Sequence, residues 1–449
     1  MNPPDVAQVD GQLVRAIGVR SLTANIVNTT IGASIFVLPA LIYRMLGRGA
    51  PLAFILCAVA MAIFVTCFAI AGSRVSLTGG PYAYVEVAFG RYLGFLAGLM
   101  FFTTAVLSVS AVVNVLADSA AALSSVLAGD TARAAIMLAV YGVLVVINVR
   151  GVRAGAAAVT FVTLIKLIPL LVFIGVGIFF IKPHAIAISI PPSSKALGDS
   201  VLLLLFAFFG IEVALLPSGE VRNPARTVPR AIYLALVLTT IAYILIQLVV
   251  QGTLDVRLAD AAVSPLAQAA GSFLGNFGRL LLLAGATISS LGFVTSDILS
   301  SPRILFAFGR DGILPKWFAH VHRQFHSPDV AIIVYTAIAF VLSISSSFEG
   351  LAVMANVAAL LLYLLCCSAS WELIRRDVRT DGKPLIFTGA RALPFIAVAV
   401  IIFILFRAAL SDSSVGADTR TGLQITSGLI IIGSVLYLLR YLLDRRSAT

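Results

Sequence analysis

The sequence predicts an all-α integral membrane protein with twelve transmembrane helices. Three observations carry that reading. The chain of 449 residues is 60% hydrophobic and only 11% charged, where soluble domains are about a quarter charged. Apolar stretches of the roughly 20 residues that cross a bilayer recur along its whole length. Twenty-one of its 31 Lys and Arg fall, on alternating assignment, on one side of the membrane, with nine on the other and Lys166 inside a span.

The first span, 21–43, follows Arg15 and Arg20 and ends at Arg44 and Arg48. The second, 52–73, closes at Arg74, and the third, 92–117, opens after Arg91. The fourth, 133–149, lies between Arg133 and Arg150, and the fifth, 155–181, between Arg153 and Lys182. Span six, 198–218, runs from Lys195 to Arg222, and span seven, 229–251, from Arg230 to Arg257. Span eight, 277–300, precedes a basic segment from Arg303 to Arg323. Spans nine and ten, 329–346 and 350–371, precede the basic run Arg375 to Arg391. Spans eleven and twelve, 392–410 and 422–443, enclose Arg407 and Arg420 and end at Arg440, Arg445 and Arg446. Basic residues accumulate on the cytoplasmic side, so both tails, 1–20 and 444–449, are expected in the cytoplasm, and 21–443 is one membrane domain. The acidic residues divide almost evenly.

These patterns exclude several classes. The net charge of +11 is a topology signal and implies no nucleic-acid partner. The first twenty residues lack the apolar core and cleavage site of a signal peptide, so the first span is expected to stay in place. Cys57, Cys67, Cys366 and Cys367 all fall inside spans without the spacing of a disulfide framework or zinc site. His320, His322 and His326 sit in a basic loop with no cysteine nearby, and no metal is expected there. Nor is any cofactor, since no phosphate-binding loop is present and Gly79-Gly80-Pro81 has the wrong spacing for one. An intramembrane hydrolase would need two membrane aspartates or a serine with a membrane histidine. Only one candidate aspartate exists, and every histidine is outside the spans.

Two spans are interrupted. The first reads NIVNTTIGASIFVLPA, placing Asn28, Thr29, Thr30, Gly32, Ala33 and Ser34 at mid-membrane depth; the sixth reads LLLLFAFFGIEVALLPSGE, with Gly210 and Glu212 central. Backbone that leaves the helix inside a bilayer is tolerated where it lines a protein-enclosed cavity. Paired discontinuities in corresponding places are the mark of secondary transporters built from inverted repeats. The second half-helix offers N–H groups and a positive dipole end to an anion. The first half-helix offers free carbonyls to a cation, so a zwitterionic amino acid finds a partner for each of its charges.

Residues Gly32-Ala33-Ser34-Ile35-Phe36-Val37-Leu38-Pro39 resemble the first-helix motif of the amino acid/polyamine/organocation transporter superfamily, usually Gly-Ser-Gly-Ile-Phe followed by Pro. Phe206 to Glu212, continued by Gly219 to Ile232, resembles its sixth helix and the following loop; Gly79 to Tyr84 and Arg303 to Pro315 match two further loops. The resemblance implies a five-plus-five inverted repeat, 21–181 and 198–371, with two extra helices in 392–443, and alternating access. It places the substrate carboxylate at Gly32, Ala33 and Ser34. The amino group falls to the carbonyls of Thr30, Ile31, Phe208 and Phe209, with Gly210 at the second break. Ala33 stands where a serine is common and Ser34 where glycine is common, so recognition here rests on backbone N–H groups. Phe206 and Phe293 match positions of aromatic gates.

Three ionisable residues lie within spans: Lys166, Glu212 and Asp297. Such groups usually mark a functional pathway. By the resemblance, Lys166 replaces the second sodium ion of sodium-coupled relatives and links the first-helix break to Thr287, Ser289 and Ser290. Glu212 reads as proton carrier, gating partner or cation contact. Asp297, four residues before Ser301, reads as a helix-end residue. Thr104 and Ser108 share one face of span three and could line the pathway. The expectation is an amino acid permease of the plasma membrane, in bacteria the inner membrane, working by proton-coupled symport or exchange. Its partners would be a small-molecule substrate, protons and the lipid bilayer. A polyamine or other organic cation is the alternative substrate, and a channel or cation–chloride cotransporter of the same superfamily an alternative mode.

Overall fold

The computed structural model describes residues 17–75, 80–122, 125–127, 129–150, 166–187, 193–212, 221–261, 264–310, 312–325, 327–379 and 384–447. The expectations that fall on Gly79, His326, residues 155–165 and residues 213–220, the part of the sixth span after Glu212 among them, lie outside them. Seven helices or helix runs are long and apolar enough to cross a membrane, and Lys166–Phe180, Asp329–Ser345 and Leu393–Ala409 are shorter apolar helices.

Proline sets many of the starts. It fixes φ and needs no hydrogen-bond acceptor, so it suits the first turn of a helix. Pro39, Pro51, Pro81, Pro224, Pro265 and Pro394 open α2 (Leu38–Leu46), α3 (Ala50–Gly72), α4 (Pro81–Phe89), α9 (Pro224–Leu254), α10 (Pro265–Ser300) and α14 (Leu393–Ala409). Hydroxyl caps open two more: the Ser193 side chain accepts from Ala196 N–H ahead of α8 (Ser194–Leu205), and Ser347 accepts from Gly350 N–H ahead of α13 (Phe348–Arg375).

The first predicted span is two pieces. Helix α1 (Val19–Thr30) stops at Ile31, whose ψ of 84° leaves the helical region, and a single 3₁₀ turn, Ser34–Phe36, leads into α2. Helix α8 likewise passes through a 3₁₀ turn, Phe206–Phe208, and ends at Phe209 with ψ 152°. Helix α10 is also divided, at Gly275 with φ 63°, so the part after the kink matches the predicted span 277–300.

Helices α5 (Arg91–Ala121) and α13 are the most enclosed and pack on each other; α13 also meets α3, α4 and α15 (Ser414–Ser447), and α9 meets α1 and α3. By contrast α6 (Asp130–Arg150) and α15 turn most of their surface outward, presenting Leu138, Val143, Ile431 and Ile432. Exposed apolar side chains of that density suit a lipid surrounding. One continuous apolar core joins the helices. Inside it, polar side chains tie helix to helix: Asn114 donates to the Ser343 carbonyl of α12 (Asp329–Ser345) at 3.1 Å, Tyr141 pairs with Ser343 at 2.8 Å, and Asn356 donates to the Leu202 carbonyl at 2.7 Å. Interhelical hydrogen bonds of this kind supply specificity where lipid removes the hydrophobic drive.

Candidate substrate site

The two breaks meet. Thr29 Oγ lies 3.0 Å from the Gly210 carbonyl, so the last turn of α1 touches the broken end of α8 directly. Gly210 has φ 108°, and a Cβ there would stand 2.6 Å from the Thr29 carbonyl carbon and oxygen. Only glycine fits both the backbone conformation and the approach. Tyr243 of α9 holds the same junction from behind: its hydroxyl is 2.9 Å from the Thr30 carbonyl and 2.7 Å from the Ala207 carbonyl. One hydroxyl carries one hydrogen, so the two broken ends share it.

A cavity lies against this junction. It takes Asn28 and Thr29 from α1, Thr104 and Ser108 from α5, and Phe209, Gly210 and Glu212 from the second break. Lys166 enters from α7 (Lys166–Phe180). From α10 come Phe293, Ser296, Asp297 and Ser300. The cavity therefore runs from the breaks toward the end of the bundle where α1 begins and α10 ends.

Each charged residue of the cavity is held by neutral groups. Lys166, 6% exposed, donates to the Asn28 carbonyl at 2.5 Å. The Glu212 carboxylate accepts from Tyr363 Oη at 2.8 Å and from the Gly210 N–H at 3.3 Å. Asp297 accepts from Ser301 Oγ at 2.8 Å and from the hydroxyl of Tyr335. Beside them, Asn28 Oδ1 and Ser108 Oγ are buried with no hydrogen-bond partner among the described residues. Buried polar atoms are normally paired, and these two, on residues of the cavity wall, are exceptions.

Of the residues expected to bind substrate, Phe209, Gly210, Glu212 and Phe293 line this cavity. Thr30, Ile31, Gly32, Ala33 and Ser34 are buried and are not among its lining residues. The N–H groups of Ala33, Ser34 and Ile35 head the second half-helix and make no backbone hydrogen bond among the described residues. Phe206 and Phe208 are buried as well. Phe206 packs on Phe209 and Phe348 at ring distances of 5.7 and 5.6 Å, and Phe208 on Tyr243 at 5.3 Å.

Of the expected link from the first-helix break to α10, the α1 end is present in the bond of Lys166 to Asn28, and no bond to α10 appears among the described residues. Thr287 and Ser290 bond back to their own helix, at Leu283 and Ala286, and Ser289 Oγ is buried without a partner among the described residues. Asp297, expected at a helix end, lines the cavity wall. Sequence reasoning did not single out Tyr243, Tyr335 or Tyr363. The available signal was their position inside apolar spans, away from the interfacial belts that tyrosine usually occupies.

A family model described as amino acid permease matches residues 17–436. The chain belongs to the amino acid permease family. The permease is 26% identical over 435 residues to the serine/threonine exchanger SteT of Bacillus subtilis, a match covering 94% of this chain and 96% of that one. It is 23% identical to the branched-chain amino acid permease BcaP of the same organism, over 89% of this chain and 90% of BcaP. A vacuolar cationic amino acid transporter of Arabidopsis thaliana is 26% identical over 83% of this chain and 62% of its own length. The matches place the permease in the amino acid/polyamine/organocation superfamily, whose first- and sixth-helix motifs coincide here with the two breaks.

Proposed function

We propose that the permease is a secondary active transporter of amino acids, working by alternating access in a plasma membrane with both termini cytoplasmic, by proton-coupled symport or by exchange. The observation that carries this reading is the junction of two broken helices, closed by Thr29 and Gly210 and opening on a cavity that holds Lys166 and Glu212. A zwitterion needs donors for its carboxylate and acceptors for its ammonium. The free N–H groups at Ala33, Ser34 and Ile35 and the carbonyls at the ends of α1 and α8 supply the two sets. The amino acid relatives support that substrate class. In this reading the twelve spans form a five-plus-five inverted repeat with two added helices, and the cavity faces the cytoplasm. Gly32 to Ser34, Thr30, Ile31, Phe206, Phe208, Phe209, Gly210 and Glu212 hold the substrate, with Phe293 covering it. Lys166, Glu212, Ser289 and Ser290 make up the coupling region.

Lys166 stands beside α1 as a fixed ammonium and makes sodium coupling unfavourable. Protons or a counter-transported amino acid are then the coupling partners. The two acids of the cavity, Glu212 and Asp297, favour a second substrate class, polyamines or other organic cations. Proteoliposomes decide between these. Saturable uptake stimulated by an amino acid trapped inside supports exchange, and uptake driven by an imposed proton gradient supports symport. Uptake of polyamines alone, or flux at channel rates, overturns the amino acid carrier reading.

A further inference from the structure

Asp297 is set differently from the other two ionisable residues of the cavity. Lys166 and Glu212 sit at the helix breaks, whereas Asp297 lies one helical turn beyond Phe293 on α10, about 6 Å further along the wall, between Ser296 and Ser300, which also face the cavity. Its carboxylate is gripped from two sides. Tyr335, fully buried on α12, donates to Oδ2, and Ser301 donates to Oδ1 at 2.8 Å. A carboxylate offers about four lone-pair positions, and these two neutral donors fill only half of them. No Lys, Arg or His among the described residues lies within ion-pair distance of it. An acid held rigidly inside a membrane protein, facing a cavity and lacking a counter-charge, is an incomplete ion pair. A residue that served only to finish a helix would need neither the tyrosine behind it nor the open space in front.

We propose that Asp297 is a second, inner subsite of the permease that binds a primary ammonium group of the transported molecule, with Tyr335 as the positioning residue that aims the carboxylate into the cavity. The proposal rests on the transport reading and adds a station to it. The substrate is held at the helix breaks when deep in the protein, and by its ammonium at Asp297 on its way to or from the cytoplasmic mouth. Phe101 and Phe293, which share this wall, give the cation aromatic faces to pass. Two sources of ammonium are compatible with the site, the α-amino group and a basic side chain.

The test compares wild type with Asp297→Asn and Tyr335→Phe in proteoliposomes, measuring KM at each face of the membrane for one neutral and one basic amino acid. Asp297→Asn is expected to raise KM at the cytoplasmic face by about tenfold, the worth of one charge-assisted hydrogen bond, and by less at the outer face. Tyr335→Phe should shift the same constant in the same direction by a smaller factor. It also keeps the test alive if Asp297→Asn does not fold. A rise for both amino acids assigns the α-ammonium, and a rise confined to the basic one assigns the side chain; either supports the subsite. Unchanged cytoplasmic KM in a folded variant, or equal rises at both faces, overturns it. If wild type itself carries no amino acid, the transport reading falls instead.

Discussion

Thr29 and Gly210, 181 positions apart in sequence, are in hydrogen-bond contact at 3.0 Å, and they are the point at which the two broken helices become one structure. Gly210→Ala tests how much depends on that contact. The added Cβ would meet the Thr29 carbonyl at 2.6 Å from a backbone with φ 108°, so the junction must part. Strain in such a conformation costs about 1–3 kcal/mol before the clash is counted. The expected outcome is a lowered melting temperature together with loss of uptake. A variant that transports at the wild-type rate would show that the two breaks need not touch.

Lys166→Ala removes the ammonium that donates from α7 to the Asn28 carbonyl. A buried hydrogen bond to a charged group is worth about 1.5–3 kcal/mol, which corresponds to a fall of roughly 10- to 100-fold in the affected step. Uptake in a counterflow assay should drop by that factor, and the response to an imposed proton gradient should vanish. Retention of the gradient response would remove Lys166 from the coupling machinery.

Tyr243→Phe leaves the ring packed against Phe208 but takes away the hydrogen shared by the Thr30 and Ala207 carbonyls. The Ala207 carbonyl loses this partner and the Thr30 carbonyl keeps the Gly32 N–H, at a cost of about 1–3 kcal/mol. The variant should fold, melt several degrees lower and turn over more slowly, with the larger change in kcat. A change confined to KM would place Tyr243 in substrate contact instead of at the junction.

At the end of the bundle, Asp377 accepts from Arg379 at 2.6 and 3.0 Å and from Arg74 at 3.3 Å. The Arg379 guanidinium first, and Arg74 beside it, hold its carboxyl below the ordinary carboxylate value. A depressed folded pKa means that the unfolded chain binds the proton more readily. The stabilisation is therefore present above the ordinary aspartate pKa, about 3.9, and fades as pH falls through the lower folded value. Melting temperatures of wild type and Asp377→Asn should differ at neutral pH and converge below about pH 4. A gap that stays constant across that range would contradict the role given to these ion pairs.

Much of the fold was legible because a bilayer imposes a length on every apolar run. Gly32 and Gly210 showed where two of those runs fail, since small and polar residues at mid-depth have no packing reason to be there in pairs. Which side of the junction faces open space was not legible. Asn28 and Thr29 line the cavity while Ala33 and Ser34 are enclosed, and that depends on how α1 tilts against α5 and α10, a relation between distant segments. The tyrosines were missed for the same reason. Nothing local to Tyr243, Tyr335 or Tyr363 announces the carbonyls or carboxylates they reach, because each partner lies on another helix. The nearness of Asp297 to Ser301 marks the helix end that the structure shows, but its second partner, Tyr335, lies 38 residues later and has no local signal.

The junction has more carbonyl acceptors than hydroxyl hydrogens. Asn25, Ile26 and Gly210 all turn their carbonyl oxygens to the one hydrogen of Thr29, and Thr30 and Ala207 divide the one hydrogen of Tyr243. Each of these two hydroxyl hydrogens is thus divided among several carbonyls, and the Thr30 carbonyl has the Gly32 N–H besides. An ammonium group arriving there brings three hydrogens and a positive charge to oxygens that have lone pairs to spare.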